Sequence, residues 1–344
     1  MNKESQEEKG YVKNHFYPKF YLNYWKNEGA TLYDKKTNVD RSFNPANTFY
    51  LEKYYYFNGT PDIEKRLSKV EKRMSEILAK IDTARKDGNK SFLISEWDKN
   101  YIILFLTLQS SRQLKTSEVT LADESGIYES NNYLAGTIRI ENEKERRWFT
   151  THLLEVLESM LDNKINGNLN GFFTQITDQL HLVIAIETNP AFCISDICCF
   201  IENDMDSKHL FTFYPQTPHI GFFVVKSKYF YNLESLYYLA AKNDDSRISM
   251  VLEKDDLKLL CSYEMSNFKD FNGFIYVFGG EKDFESMNNN NLNIKFVHLR
   301  NESIININKI FFDDGNQFIH CQSKRYVYFL KKESDIFRYI SVSF

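Results

Sequence analysis

Between Tyr101 and Leu108 the chain reads Tyr-Ile-Ile-Leu-Phe-Leu-Thr-Leu, apolar at nearly every position. Ser95 stands ahead of this run with Asp98 three residues on, a variant of the box in which a side-chain oxygen caps the first amides of a helix. The helix expected over about 95–114 has no polar face to offer to water. It must therefore lie in the middle of the fold, with other elements on every side. Its eight-residue apolar stretch falls far short of the roughly 20 that cross a bilayer. The start, MNKESQEEKG, is charged and polar and shows no signal-peptide pattern, so a cytoplasmic protein with no membrane association is expected.

Other elements must cover that helix. Thr60-Pro61-Asp62 combines a capping residue, a proline at the first helical position and an acid in the first turn. Ile63, Leu67, Val70, Met74, Ile77, Leu78 and Ile81 then repeat at helical spacing, and Gly88 supplies a stop. A third helical pattern spans 142–162. From about residue 179 the pattern changes to strands over 180–187, 191–202 and 210–225. Helices near 234–243 and 253–268 and a strand at 273–280 follow. The asparagines at 288–291 mark a loop and a boundary. Beyond them NIKFVHLR, SIININKIFF, QFIHC, RYVYFL and RYISVSF all read as β. Helices first and strands later, without βαβ alternation, give an α+β fold: an N-terminal helical part around a buried central helix, then a mainly antiparallel mixed sheet. The expected division is a polar tail at 1–10, a main α+β domain at 11–280 and a β-rich C-terminal extension at 281–344.

Composition agrees with a large core. A chain of 344 residues would ordinarily hold about 24 Gly and 17 Pro, yet this one has 13 and 6, with 16% aromatic residues. Such a chain has ample ring surface to bury and is neither disordered nor collagen-like. A net charge of −4 excludes a globally cationic nucleic-acid binder but leaves room for a local basic patch. Cys193, Cys198, Cys199, Cys261 and Cys321 are odd in number and lack zinc-finger spacing, so they read as free buried thiols in a reducing compartment.

A few polar residues stand out against this apolar background. His15, set among rings in Asn-His-Phe-Tyr-Pro, reads either as a general acid or base or as a hydrogen-bonded histidine that fixes the path of the chain. Arg112 extends the stripe Tyr101, Phe105, Leu108, and a guanidinium on a buried face must meet an anion. That anion is an internal carboxylate or a ligand phosphate or carboxylate. Ser195-Asp196 interrupts an apolar strand; if the strand is regular, Asp196 faces inward and Arg112 is its simplest partner, while Ser195 points to the opposite side. Asp178, His181 and His219 could add oxygen and nitrogen donors, but their spacing demands no metal, and no cofactor fingerprint occurs. The rings at Tyr54–Phe57 beside Lys53 read as a stacking platform for bases or, more simply, as a strand.

These motifs, in this order, resemble the "domain of unknown function 4238" family of bacterial proteins. HFYPKFYL matches its His-Tyr-x-Pro-x-Phe-x-Leu opening, YIILFLTLQSSR its central helix ending in Arg, and FCISD its Phe-x-x-Ser-Asp strand. FYPQTP matches its paired prolines, and the resemblance covers about 11–280. Two departures stand out: Ile197-Cys198 follows Ser-Asp where the family often has Asn-Pro, and Phe16 replaces a Tyr. The resemblance implies that His15, Pro18, Phe20, Arg112, Ser195 and Asp196 share one site, and it implies no activity. Length and an Asn-, Lys-, Ile-rich composition are similar to phage abortive-infection proteins of low-GC bacteria.

The expectation is then a cytoplasmic bacterial phage-defence effector with a pocket for a phosphate-bearing ligand. His15, Arg112 and Asp196 would be its catalytic group, with Arg112, Ser195 and His219 as ligand contacts. Its partner would be nucleic acid, a nucleotide or a phage protein, and cleavage of nucleic acid or nucleotide is the reaction class that fits. The rival expectation is a non-enzymatic protein- or nucleic-acid-binding protein in which the same residues form a structural network.

Overall fold

The computed structural model describes residues 13–52, 62–112, 118–120, 137–139, 143–163, 180–203, 209–226, 251–253, 255–256, 288–323 and 325–332. The first part holds β1 (Lys13–His15), α1 (Lys19–Asn27), β2 (Thr31–Asp34), β3 (Val39–Ser42) and β4 (Tyr50–Glu52). Then come α2 (Asp62–Lys86), β5 (Ser91–Ser95), α3 (Glu96–Ser111), β6 (Glu118–Thr120), β7 (Thr137–Arg139) and α4 (Glu143–Leu161). Strands β8 (Leu180–Ile186), β9 (Ile194–Ser195), β10 (Phe200–Asn203), β11 (His209–Thr217) and β12 (Ile220–Lys226) follow. The chain continues through β13 (Asn291–Val297), α5 (Asn301–Asp314), β14 (Gln317–His320) and a last helix, α6, over 325–332. This is an α+β fold, with most of the described helices early and the longest described strands late.

Local chemistry sets the key ends. The Ser95 side chain accepts from the Asp98 amide at 3.1 Å and opens α3. Gly88, at φ +73°, closes α2, with Gly88 N–H donating to the Arg85 carbonyl and Asn89 N–H to that of Ala84. That pair of bonds is the Schellman arrangement, which requires the left-handed residue glycine provides. From Tyr101 to Arg112 every residue of α3 and its C-cap is buried; the helix packs on α2, α4, β5 and β8, the central position its sequence requires.

The larger sheet has the order β10-β11-β12-β8-β13-β5, antiparallel except where Phe296 and Val297 of β13 run parallel to Ile184 and Ala185 of β8. The smaller is β3-β2-β14-β9, antiparallel throughout. The segment 291–320 thus gives a strand to each sheet, β13 to the larger and β14 to the smaller. The expected β-rich extension from 281 is woven into the main body, and the asparagine run joins rather than divides: Glu96 N–H donates to the Asn290 carbonyl at 2.8 Å.

Several expected strands are replaced. SIININKIFF is α5, because Ser303, Ile304, Ile307, Asn308, Phe311 and Phe312 are its buried positions, a helical repeat that the β-branched isoleucines disguise. RYVYFL is likewise helical, in α6. The expected strand at 191–202 is broken into β9 and β10 at Asp196, and 210–225 is a hairpin turning at Pro218-His219. Pro18 stands at the N-cap of α1. The elements expected at 234–243, 253–268 and 273–280 lie wholly or mostly outside the described residues, as do Tyr54–Phe57, Asp178, Cys261 and RYISVSF.

Candidate functional site

The last turn of α3, Gln109-Ser110-Ser111-Arg112, distributes four polar groups in different directions. The Gln109 carbonyl accepts from Cys198 Sγ at 3.4 Å. Ser110 Oγ gives its proton to the Leu106 carbonyl and lies 2.6 Å from the Tyr214 hydroxyl and 3.4 Å from Cys199 Sγ. Ser111 Oγ meets Thr150 Oγ1 of α4 at 3.1 Å. Close by, the Tyr17 hydroxyl donates to the Pro215 carbonyl at 2.5 Å and Trp25 Nε1 to that of Phe192 at 3.4 Å. The segments HFYP, QSSR, FCISD and FYPQTP therefore converge. Burial pushes Tyr17, Tyr21 and Tyr214 well above the usual phenol range, so their hydroxyls stay protonated.

Arg112 is 1% exposed. Its Nη1 donates to Glu71 Oε1 at 2.8 Å and its Nη2 to the His15 carbonyl. Glu64, two turns before Glu71 on α2, accepts from the Asn14 amide at 2.8 Å. Burial raises the Glu64 pKa, the Arg112 charge and the Asn14 hydrogen bond pull it down, and Glu71 pushes it up again. Arg112 and Asn14 thus tie β1 to α2 through two carboxylates, Glu71 and Glu64, that the sequence did not single out. The signal for Glu64 and Glu71 was present: seven residues apart, both border the apolar stripe of α2.

His15 and Arg112 do come together, but through the His15 main chain. The His15 ring is buried, with Nε2 3.1 Å from the Pro45 carbonyl and the ring tilted against Tyr50. Asp196 does not pair with Arg112. Its Oδ1 accepts from the Asn316 backbone at 2.6 Å and its Oδ2 from the Asn316 side chain at 2.9 Å, which pins the turn between α5 and β14. The strand break at Asp196 turns its carboxylate away from the inward face expected of a regular strand. Ser195 is fully buried, its Oγ accepting from the Ile197 amide at 3.3 Å. Gly315 packs on it so closely that an added Cβ would lie 2.4 Å from Ser195 Cβ. The expected three-residue pocket is accordingly absent: His15 and Arg112 belong to one network, Asp196 and Ser195 to another.

His219 belongs to a third region. Its Nδ1 lies 3.1 Å from the Glu187 carbonyl and its Nε2 3.3 Å from Glu28 Oε1. His181 is buried on β8. Among the described residues no group of three or more His, Cys, Asp and Glu is placed to hold a metal, and no helix is long and apolar enough to cross a membrane. Cys193, Cys198, Cys199 and Cys321 are free thiols.

On the other side of Glu187 lies an open cleft of about 890 Å³, bounded by the end of α2, the turn into β5, the end of β8 and β13. Arg85, Lys86, Lys90, Lys295 and His298 line it with Glu187, and Phe296 supplies a ring. Arg85 and Lys86 also grip Asp82 at 2.8 and 2.7 Å. Burial alone would raise the Asp82 pKa, but these two cations hold it below the usual carboxylate range. Lys90 and Lys295 are exposed and have no ion pair among the described residues. Glu187 is raised by burial, against the Leu299 amide that donates to it at 3.0 Å and the nearby His298. No expectation from the sequence pointed to this cleft, because its walls come from segments about 100 and 200 residues apart.

Fold and site define an α+β protein with a sealed charged frame at its centre and an open, cation-lined cleft at the end of its longest described helix. The chain belongs to the family described as "Protein of unknown function (DUF4238)", whose model matches residues 13–332. The match runs past the 11–280 of the sequence resemblance and takes in β13, α5 and β14. No curated protein and no solved structure matches the chain.

Proposed function

We propose that this chain is a non-enzymatic binding protein for a phosphate-bearing ligand, received in the cleft between α2 and β13, and that the Arg112 network is its internal frame. One observation carries the reading: the cleft presents Lys90 and Lys295 to solvent without carboxylate partners among the described residues, whereas the Arg112 guanidinium is sealed and already satisfied. An ammonium facing open space is ready for a phosphate oxygen; a buried guanidinium bonded to a carboxylate is not. Phage defence of the abortive-infection kind remains the proposed setting, in a bacterial cytoplasm, and rests on length and composition.

The test is titration of the full chain with a labelled dinucleotide at low salt. Wild type should bind, and Lys90→Glu with Lys295→Glu should weaken binding at least about tenfold, a loss of about 1.4 kcal/mol, with an unchanged Tm. Absence of binding by wild type would overturn the reading. Plating of phage on cells expressing wild type or this double variant tests the setting: protection by wild type alone supports it, and no protection removes it.

Glu187 and His298 supply a specific reason to keep hydrolysis as a second reading. Both line the same cleft, and the raised Glu187 carboxyl is suited to take a proton from a water that attacks a bound phosphodiester. Conversion of the labelled dinucleotide by wild type, lost in Glu187→Gln, would favour that reading over simple binding.

A further inference from the structure

The outward side of α2 is a row of lysines. Lys65, Lys69, Lys72 and Lys80 are all exposed, and their spacing keeps them on one side of the helix. None of the four side chains makes an ion pair or hydrogen bond among the described residues. Four acids of the helix have partners: Glu64 with Asn14, Glu71 with Arg112, Glu76 with Arg73, and Asp82 with Arg85 and Lys86. Glu76 and Asp87 are the exposed acids on the lysine side, and Glu76 is held at 3.6 Å by Arg73. Lysines three and four apart repel, so helix stability alone disfavours the pairs 65/69 and 69/72. In a chain of net charge −4, this row is a local excess of positive charge, four lysines against Glu76 and Asp87.

The row leads somewhere. At its C-terminal end Lys86 lines the cleft, and Lys90 and Lys295 continue the positive surface inside it beside the half-buried ring of Phe296. From residue 65 to residue 86 the helix rises about 32 Å at about 1.5 Å per residue. Lys65, Lys69 and Lys72 each lie within about 6 Å of the next along the axis, inside the roughly 8 Å screening length of physiological salt, and act as one field, with Lys80 about 12 Å further on toward the cleft. A single nucleotide would fill the cleft and leave the row unused, whereas a phosphodiester chain would use both.

We infer that the ligand is a single-stranded nucleic acid whose backbone follows the lysine row of α2 and whose end or turn enters the cleft, where Phe296 offers a ring for a base. The inference rests on the cleft-binding reading above and names its ligand class. Cations along a groove with an aromatic stacking surface are the recurrent means of holding single strands without reading their sequence. Seven lysines lie along this path, 65, 69, 72, 80, 86, 90 and 295, with Lys86 also held by Asp82. If all meet phosphates, log K should fall against log salt with a slope of about −5, at about −0.7 per contact.

The experiment measures binding of a labelled 20-nucleotide single strand and of a dinucleotide to the full chain, from about 50 to 300 mM salt. The variant joins Lys65→Gln, Lys69→Gln, Lys72→Gln and Lys80→Gln, exposed changes that should leave the Tm unaltered. For the long strand its slope should shrink to about −2, and at 50 mM salt its affinity should fall on the order of a thousandfold. Its dinucleotide affinity should match wild type. Equal binding of the long strand by wild type and variant would overturn the inference while leaving the cleft reading intact. If neither probe binds wild type, both readings fall together. Binding to phosphatidylserine vesicles but not to the strand would also overturn the inference, in favour of an anionic lipid surface.

Discussion

On its inner side α2 sets Glu64 and Glu71 against Arg112 and Asn14; on its outer side it leaves Lys65, Lys69, Lys72 and Lys80 facing water. The inner charges lie where the dielectric is low and every donor must find an acceptor, so they are paired and fix how α2, α3 and β1 meet. The outer charges lie in water, contribute little to stability, and are free to meet a partner. One helix therefore carries two kinds of charge, and only their neighbours tell them apart. The difference teaches that a charged residue in an apolar pattern is first a statement about packing, and that binding is better sought where charges stand unpaired.

The comparison can be broken most directly at its inner half. Arg112→Ala leaves Glu71 and Glu64 facing each other and the His15 carbonyl without its donor, and should cost about 3–5 kcal/mol in chemical denaturation. Replacing the pair together, Arg112→Met with Glu71→Leu, should cost much less than the single change, because no buried charge is stranded. Equal losses would show that the guanidinium matters for more than pairing. In the cleft to which the outer side leads, Lys90→Glu with Lys295→Glu should leave denaturation curves unchanged while lowering ligand affinity by about tenfold or more, about 1.4 kcal/mol.

A smaller effect tests burial at a third place. His320 is buried, its Nδ1 3.0 Å from the Gln322 carbonyl and its Nε2 3.0 Å from the Thr31 hydroxyl, an arrangement suited to the neutral ring. Burial lowers its pKa, and Asp40 only partly offsets this. The neutral ring thus contributes stability that is present above the ordinary histidine value of about 6.5 and is lost as pH falls through the lower folded value. The Tm of wild type should drop between pH 7.5 and pH 5 by more than that of His320→Gln. The smallest change belongs to the exposed Arg300–Asp255 pair. Arg300→Ala should shift stability by under about 1 kcal/mol.

Much of the fold was legible where local chemistry decides it. The stop at Gly88, the cap at Ser95 and the all-round apolar helix after it fixed the ends of α2 and α3 and the central role of α3. That Arg112 needed an anion was also legible; that the anion would be Glu71 rather than Asp196 was not, because it depends on how α2 lies beside α3. Asp196 misled for a local reason: regular alternation was assumed across a strand that breaks there. SIININKIFF misled because isoleucine favours strands, although its buried positions step at helical intervals. The cleft left no local signature, since Lys90, Glu187 and Lys295 are brought together only by the pairing of β5, β13 and β8.

That pairing also bears on how the protein is made. β13 is a central strand of the larger sheet, lying between β8 and β5, and its register with β5 joins Ser95 to Asn291. On a ribosome adding about 5–20 residues per second, β5 would wait on the order of ten seconds or more for its only neighbour in the sheet. In that interval its unpaired edge, with Leu93 pointing outward, is the kind of surface that templates aggregation. A nascent chain halted before residue 291 should therefore need a chaperone to stay soluble, and one released beyond 320 should not.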